Sequence, residues 1–164
     1  ARADNPSLTV RGLGKTFQPV RIVASTSLNF SGTAMKSTRD HAPLWVCHGA
    51  GARDTMKWEK NSDKMLKIHN FVDGELDLNE MLQKLGAEGI TSIFCEGGGL
   101  LGSSLIKAGL VDDLIVYSAG LVIGGDGLAS LGELGLEKLD DGIRFSLIDH
   151  KTIGCDLRHH WRAN

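Results

Sequence analysis

Between Ile90 and Gly109 the chain passes from an apolar, β-branched stretch into a helical one through bare backbone. Ile90-Thr91-Ser92-Ile93-Phe94 has the composition of a buried strand. Downstream, Leu101, Leu105 and Ala108 recur at one-turn spacing, which predicts a helix stopping at Gly109. Cys95-Glu96-Gly97-Gly98-Gly99 lies between them. A strand that feeds a helix through glycines is an α/β device, and its unpaired N–H groups lie at the positive end of a helix dipole. That is the chemistry of a phosphate or pyrophosphate seat. The turn is not GxGxxG and lacks the Lys-Ser/Thr of a P-loop. The competing reading is a tight turn without a ligand. Three consecutive glycines cost chain entropy that a turn alone does not need, which favours the ligand. Glu96 stands where open α/β sheets place ligands, although a carboxylate there can also simply stabilise the helix dipole. Ser103 and Ser104 fall within the helix, as hydrogen-bond donors in its first turns or as close-packing residues.

The rest of the chain alternates in the same way. Leu8-Thr9-Val10-Arg11 reads as extended after a polar turn, and Gly12 to Gln18 as a loop. Strands are expected at Pro19–Ala24, Leu44–His48 and Met65–Ile68. Ser25-Thr26-Ser27 forms a hydroxyl cluster at the end of the first, and Asn29 to Ala42 is a loop. A short helix is expected over Ala52–Glu59. A second runs from an Asp77 N-cap through Met81 and Leu85 to a terminator at Gly86 or Gly89. Leu114-Ile115-Val116-Tyr117 reads as a further buried strand continuing towards Leu121–Ile123, broken at Gly124-Gly125-Asp126-Gly127. Ile143–His150 and Asp156–Trp161 close the chain as an antiparallel pair through Gly154. The pattern predicts an α/β fold with three layers: a mainly parallel central sheet with antiparallel strands at its C-terminal end.

Several function classes are disfavoured. The net charge is −2 and the 18 basic residues are scattered, giving no nucleic-acid footprint. No apolar run is long enough to span a bilayer. Cys47, Cys95 and Cys155 read as reduced core thiols of a cytosolic protein. The six histidines form no zinc template, and His159 and His160, adjacent on a strand, face opposite ways. No metal is expected in this chain. A GxSxG nucleophile elbow is also absent. Arg11 could hold a phosphate bidentately; otherwise it is a solvated surface arginine.

Three segments together resemble one family. Asp4-Asn5-Pro6-Ser7-Leu8-Thr9-Val10-Arg11 is similar to the D-[DN]-P-x-L-T-V-R segment of the reductase domain of the bifunctional riboflavin-biosynthesis deaminase/reductase. Glu96-Gly97-Gly98-Gly99, followed by Leu105 to Leu114, resembles its E-G-G-x-x-L…L-[VI]-D-E-L block. Leu121 to Gly127 is similar to its glycine-rich loop. The resemblance runs from Asp4 to Trp161.

It implies a dihydrofolate-reductase-like fold that binds NADPH and transfers a hydride to the ribose C1′ of 5-amino-6-(5-phosphoribosylamino)uracil. By the same resemblance, Ser7, Leu8 and Arg11 would hold the substrate's phosphate and ribose. Asp4 would lie near substrate and nicotinamide, and Glu96 would contact the substrate; either carboxylate could relay the proton. Gly98, Gly99, Leu100, Leu101, Gly102, Ser103 and Ser104 would seat the cofactor pyrophosphate. Ser25 or Thr26 matches a cofactor-contacting serine. A separate expectation is that His48 or Arg53 faces the 2′-phosphate of NADPH.

The family pattern carries an N-terminal strand before the D-[DN]-P segment, so residues 1–164 are expected to be a reductase domain lacking that strand. A zinc-containing deaminase domain is expected upstream, and the protein is expected to be a cytoplasmic homo-oligomer. The alternatives are a 2,5-diamino-6-ribosylaminopyrimidinone 5′-phosphate reductase, a dihydrofolate reductase, which the Arg11 segment disfavours, and a non-catalytic nucleotide-binding or assembly domain.

Overall fold

The computed structural model describes residues 6–14, 17–29, 42–53 and 55–164. Contacts divide the chain into two units, Ala1–Ile93 and Phe94–Asn164. The expectations for Asp4 and for most of the Asn29–Ala42 loop lie outside the described residues.

The first unit is built on a parallel sheet in the order β1 (Arg21–Ser25), β2 (Leu44–Gly49), β3 (Lys64–Ile68). Alternate side chains leave a strand on opposite faces, and β2 feeds two cores in this way. Leu44 and Val46 join Val23, Leu28 and Trp58, the last from α1 (Thr55–Glu59), while partly buried Leu8 packs on this cluster. Cys47 joins Ile68 and Leu76 with Met81 and Leu85 of α2 (Leu78–Ala87) on the other face. Helix, sheet and helix therefore stack as three layers. Burying side chains such as Trp58 and Leu85 stabilises each layer by roughly 1.5–3 kcal/mol per large residue.

Helix α2 begins and ends as its residues dictate. The Asp77 carboxylate accepts from the N–H groups of Asn79 (2.8 Å) and Glu80 (3.3 Å). At the far end Gly89, at φ +90°, donates to Gly86 O and Ile90 N donates to Leu85 O, which closes a Schellman motif. Gly89, not Gly86, is the terminator. Between β3 and α2 lies a two-stranded hairpin, β4 (Phe71–Val72) and β5 (Glu75–Leu76). Asp73 and Gly74 form its turn with φ of +52° and +80°, the signature of a type I′ turn.

The second unit holds α3 (Gly99–Lys107) and an antiparallel sheet in the order β6 (Asp113–Ser118), β8 (Asp156–Ala163), β7 (Phe145–Ile153). Helix α3 ends on a second Schellman motif, with Gly109 at φ +66° and Leu110 N donating to Leu105 O. The β7–β8 hairpin turns at Gly154, and β7 carries an irregularity between Leu147 and Asp149.

Five expectations differ from the structure. Ile90–Phe94 forms no strand, and Phe94 is 77% exposed; an apolar run becomes a strand only where a neighbour supplies ladder partners, and none pairs with it among the described residues. The β6 strand is mostly exposed, not buried, and pairs antiparallel with β8, and Leu121–Ile123 does not continue it. Leu8 sits at φ +50°, so the Leu8–Arg11 segment is not uniformly extended; its course is set by Gln18, which pairs with both Val10 N (2.8 Å) and Val10 O (3.1 Å). Helix α1 starts at Thr55, three residues later than expected, because Gly49–Ala52 is taken up by a turn in which Ala52 N donates to Gly49 O. Of the three cysteines only Cys47 is in a core; Cys95 lies in the unpaired segment and Cys155 at the hairpin tip, both exposed.

Candidate functional site

In the first unit, the carboxyl ends of β1 and β2 lie side by side, with Ser25 opposite His48 in the register. Parallel sheets bind ligands at this edge because their loops diverge there. The Ser25 hydroxyl accepts from Leu28 N (3.1 Å), which turns the chain back towards the core. Thr26 O accepts from Gly49 N (3.2 Å), locking the two strand ends together. The Thr26 hydroxyl donates to the Glu75 carboxylate at 2.5 Å, the length of a charge-assisted bond. His48 is buried, with Nδ1 3.0 Å from Gly49 O. Arg53 is exposed in the loop between β2 and α1. Ser7 and Leu8 are half-buried and Arg11 is exposed on the preceding segment.

Glu75, Phe71 and Gly49 were not predicted as site residues. A methyl group on Gly49 would lie 2.6 Å from Thr26 O and 3.0 Å from the Phe71 ring, so only glycine lets the hairpin and the β1 end close on this point. The available signal was Asp73-Gly74 flanked by Val72 and Glu75, a strong short-range hairpin pattern.

In the second unit, Gly97, Gly98 and Gly99 precede or open α3, and their surroundings separate their roles. A methyl group on Gly97 would meet Leu101 Cδ2 at 2.7 Å. One on Gly99 would meet Ala129 O and Ser130 O at 3.0 Å, because the 129–132 segment crosses the first turn and Gly132 N donates to Gly99 O. Gly99 therefore faces backbone that must give way to any side chain, whereas at Gly97 the end of the Leu101 side chain is what must shift. Gly98 differs. Nothing lies within 4 Å of its missing side chain, its φ of −64° suits any residue, and it caps α3 without a side-chain acceptor.

The first N–H groups of α3 consequently have no intrahelical acceptor and no side-chain cap. Ser103 and Ser104 both donate to Leu100 O, at 3.0 and 2.9 Å, as their position in the helix predicts. Their hydroxyl protons are thus engaged, and an anion here is met by backbone N–H groups. Bare amides at a helix N-terminus beside an unobstructed Gly98 fit a pyrophosphate. Glu96 is exposed just before this turn, on the unpaired segment rather than on a strand end. Leu100, 79% exposed, is the apolar neighbour of the same turn, while Gly102 and Leu101 face inward. Among the described residues no group of three His, Cys, Asp or Glu side chains could hold a metal ion, and no helix is long and apolar enough to cross a membrane.

A family model described as the RibD C-terminal domain matches residues 1–158. The chain belongs to that family. The riboflavin biosynthesis protein RibD of Bacillus amyloliquefaciens is 34% identical over 159 residues, covering 96% of this chain and 42% of that protein. RibD of Escherichia coli is 33% identical, over 96% and 45% respectively. The chain therefore spans less than half the length of these RibD relatives. The 2,5-diamino-6-ribosylamino-4(3H)-pyrimidinone 5′-phosphate reductase of Methanothermobacter thermautotrophicus is 30% identical, and the match covers 94% of this chain and 72% of that protein. In fold the chain is similar to RibD of Acinetobacter baumannii, with a TM-score of 0.77 at 22% identity over 99% of this chain and 44% of the other. The fold class is accordingly that of the RibD reductase domains, dihydrofolate-reductase-like α/β.

Proposed function

We propose that the chain is an NADPH-dependent reductase domain of riboflavin biosynthesis, reducing the ribose C1′ of 5-amino-6-(5-phosphoribosylamino)uracil to the ribitylamino product. The observation that carries this reading is the uncapped N-terminus of α3, where Gly98 alone among the three glycines has nothing against its missing side chain. An open backbone at a dipole's positive end suits a dinucleotide pyrophosphate. NADPH supplies the hydride when bound. The chain's own residues bind and orient. In the second unit, Gly98, Gly99, Leu100 and Leu101 would offer the cofactor phosphates their backbone N–H groups, Gly102 N being already bonded to Gly98 O, and Ser103 and Ser104 complete that turn. In the first unit, Ser25 and Thr26 are assigned to the cofactor at the sheet edge. Arg53, exposed after β2, and His48 are assigned to the 2′-phosphate; His48 would serve through its ring edge, since the imidazole is buried. Ser7, Leu8 and Arg11 anchor the phosphoribosyl group. Asp4 or Glu96 holds the ribose and supplies the proton that the opening ring requires.

The Methanothermobacter relative supports a second reading, reduction of the diaminopyrimidinone before deamination, because this chain covers most of that reductase's length. A zinc deaminase upstream, a cytoplasmic location and a homo-oligomer complete the first reading. Oxidation of NADPH by the full-length protein, followed by the loss of the reduced cofactor's absorbance, decides between the substrates. The phosphoribosylaminouracil is expected to drive turnover. Preference for the diaminopyrimidinone would reverse the order of steps, and turnover with neither would leave a non-catalytic nucleotide-binding domain.

A further inference from the structure

The β4–β5 hairpin is tied down from behind and reaches forward to the carboxyl edge of the parallel sheet. Behind it, Asp77 N donates to Asn70 O (3.1 Å), and the Glu80 carboxylate accepts from His69 N (3.0 Å) and Asn70 N (2.8 Å). Its own turn is preorganised by Asp73 and Gly74. In front, Phe71 lies against Gly49 and the Glu75 carboxylate accepts a hydrogen bond from the Thr26 hydroxyl. The hairpin is thus tied at its base and at the sheet edge, and Glu75 is carried to Thr26 by those ties.

A hydroxyl has one proton and two lone pairs. With the proton committed to Glu75, Thr26 offers a ligand lone pairs only. It can accept from a ribose hydroxyl or an exocyclic amine, and it cannot donate to a phosphate oxygen. From this we infer that Glu75 is a positioning residue that sets the polarity of Thr26, making this corner of the sheet edge a reader of hydrogen-bond donors on the cofactor. The inference rests on the NADPH reading above and assigns that site a donor-selecting element separate from its phosphate seat.

The test is a double-mutant cycle on NADPH affinity, read by cofactor fluorescence in the full-length protein with thermal melting as the folding control. Thr26→Val removes the acceptor and is expected to weaken binding about fivefold, the usual worth of one hydrogen bond. Glu75→Ala frees the Thr26 hydroxyl to rotate and weakens binding by a smaller factor. Glu75→Gln, whose amide oxygen can still accept, and Thr26→Ser both restore affinity. The combined Thr26→Val and Glu75→Ala variant binds no more weakly than Thr26→Val alone. Hypoxanthine and 3-acetylpyridine analogues of NADPH, which lack the adenine and carboxamide amines respectively, identify the donor: the analogue missing it binds wild type and Thr26→Val equally, and a ribose donor is indicated if neither does. Additive losses, or a Thr26→Val variant that binds like wild type, would overturn the inference while leaving NADPH binding intact. A wild-type protein that does not bind NADPH would overturn the functional reading itself.

Discussion

At the residue scale, three glycines in a row turn out to answer to different forces. Gly99 faces the carbonyls of Ala129 and Ser130, which cannot withdraw without moving a backbone segment. A Gly99→Ala substitution should therefore lower stability by about 1–3 kcal/mol, as overpacking does. At Gly98 the added methyl meets nothing, and φ is already suitable. Its small loss as a cap is offset by reduced entropy in the unfolded chain, so Gly98→Ala should leave stability within about 0.5 kcal/mol. NADPH affinity should nevertheless fall, on the order of tenfold (about 1.4 kcal/mol), because the methyl occupies the approach to the first N–H groups of α3. Urea unfolding and a cofactor titration on the same two variants separate packing from binding. Equal behaviour in both measurements would remove the case for Gly98 as the point of ligand approach. The sequence shows that glycines are needed here; which neighbour excludes a side chain depends on residues 129–132, some thirty positions downstream, and is not legible in the turn itself.

At the scale of elements, local rules were sufficient wherever both partners lie in one short stretch. The Asp77 cap, the two glycine-terminated helices and the Gly154 hairpin follow from residues within a few positions of one another. The Glu80 cluster is different, since it joins the first turn of α2 to the chain after β3. Its carboxyl is held down to about 2, chiefly by the Lys84 ammonium, then by the N–H groups of Asn70 and His69. A carboxyl with a depressed folded-state value stabilises the protein above its unfolded value near 4.5. That contribution is lost as pH falls from about 4.5 towards about 2. Glu80→Gln should flatten the pH dependence of the urea midpoint across that window while changing it little between successive points above it. A residual slope is expected from Asp113, whose carboxyl is lowered first by His160 and then by Arg162. An unchanged slope in the Gln variant would mean that Glu80 does not bond these donors in solution. The same cluster anchors the hairpin that carries Glu75, so this acid-sensitive knot also supports the sheet edge assigned to the cofactor.

At the scale of the whole molecule, what a segment becomes depends on what the rest of the chain offers it. Ile90–Phe94 has every local mark of a central strand, yet no described residue supplies its ladder. The parallel sheet was legible because Leu44–His48 alternates towards two cores, whereas strand pairing at Ile90–Phe94 rests on contacts far away in sequence. The second sheet shows the same dependence, since β6 is apolar enough for a core and instead lies exposed beside β8. Cysteine reactivity distinguishes the two outcomes for the unpaired segment. Cys47 is fully buried, and burial pushes its thiol up to about 11, so it holds almost no thiolate at neutral pH. Cys155 sits exposed at the β7–β8 tip, and Cys95 is exposed directly after Phe94. Titration of the native chain with a thiol-specific disulfide reagent should therefore modify Cys95 and Cys155 promptly, and Cys47 only after denaturant is added. Mass spectrometry of the labelled peptides identifies the sites. Prompt labelling of Cys155 alone would mean that Phe94 and Cys95 are packed in solution, as the apolar pattern of Ile90–Phe94 predicts, and that Glu96 stands at the end of a true strand.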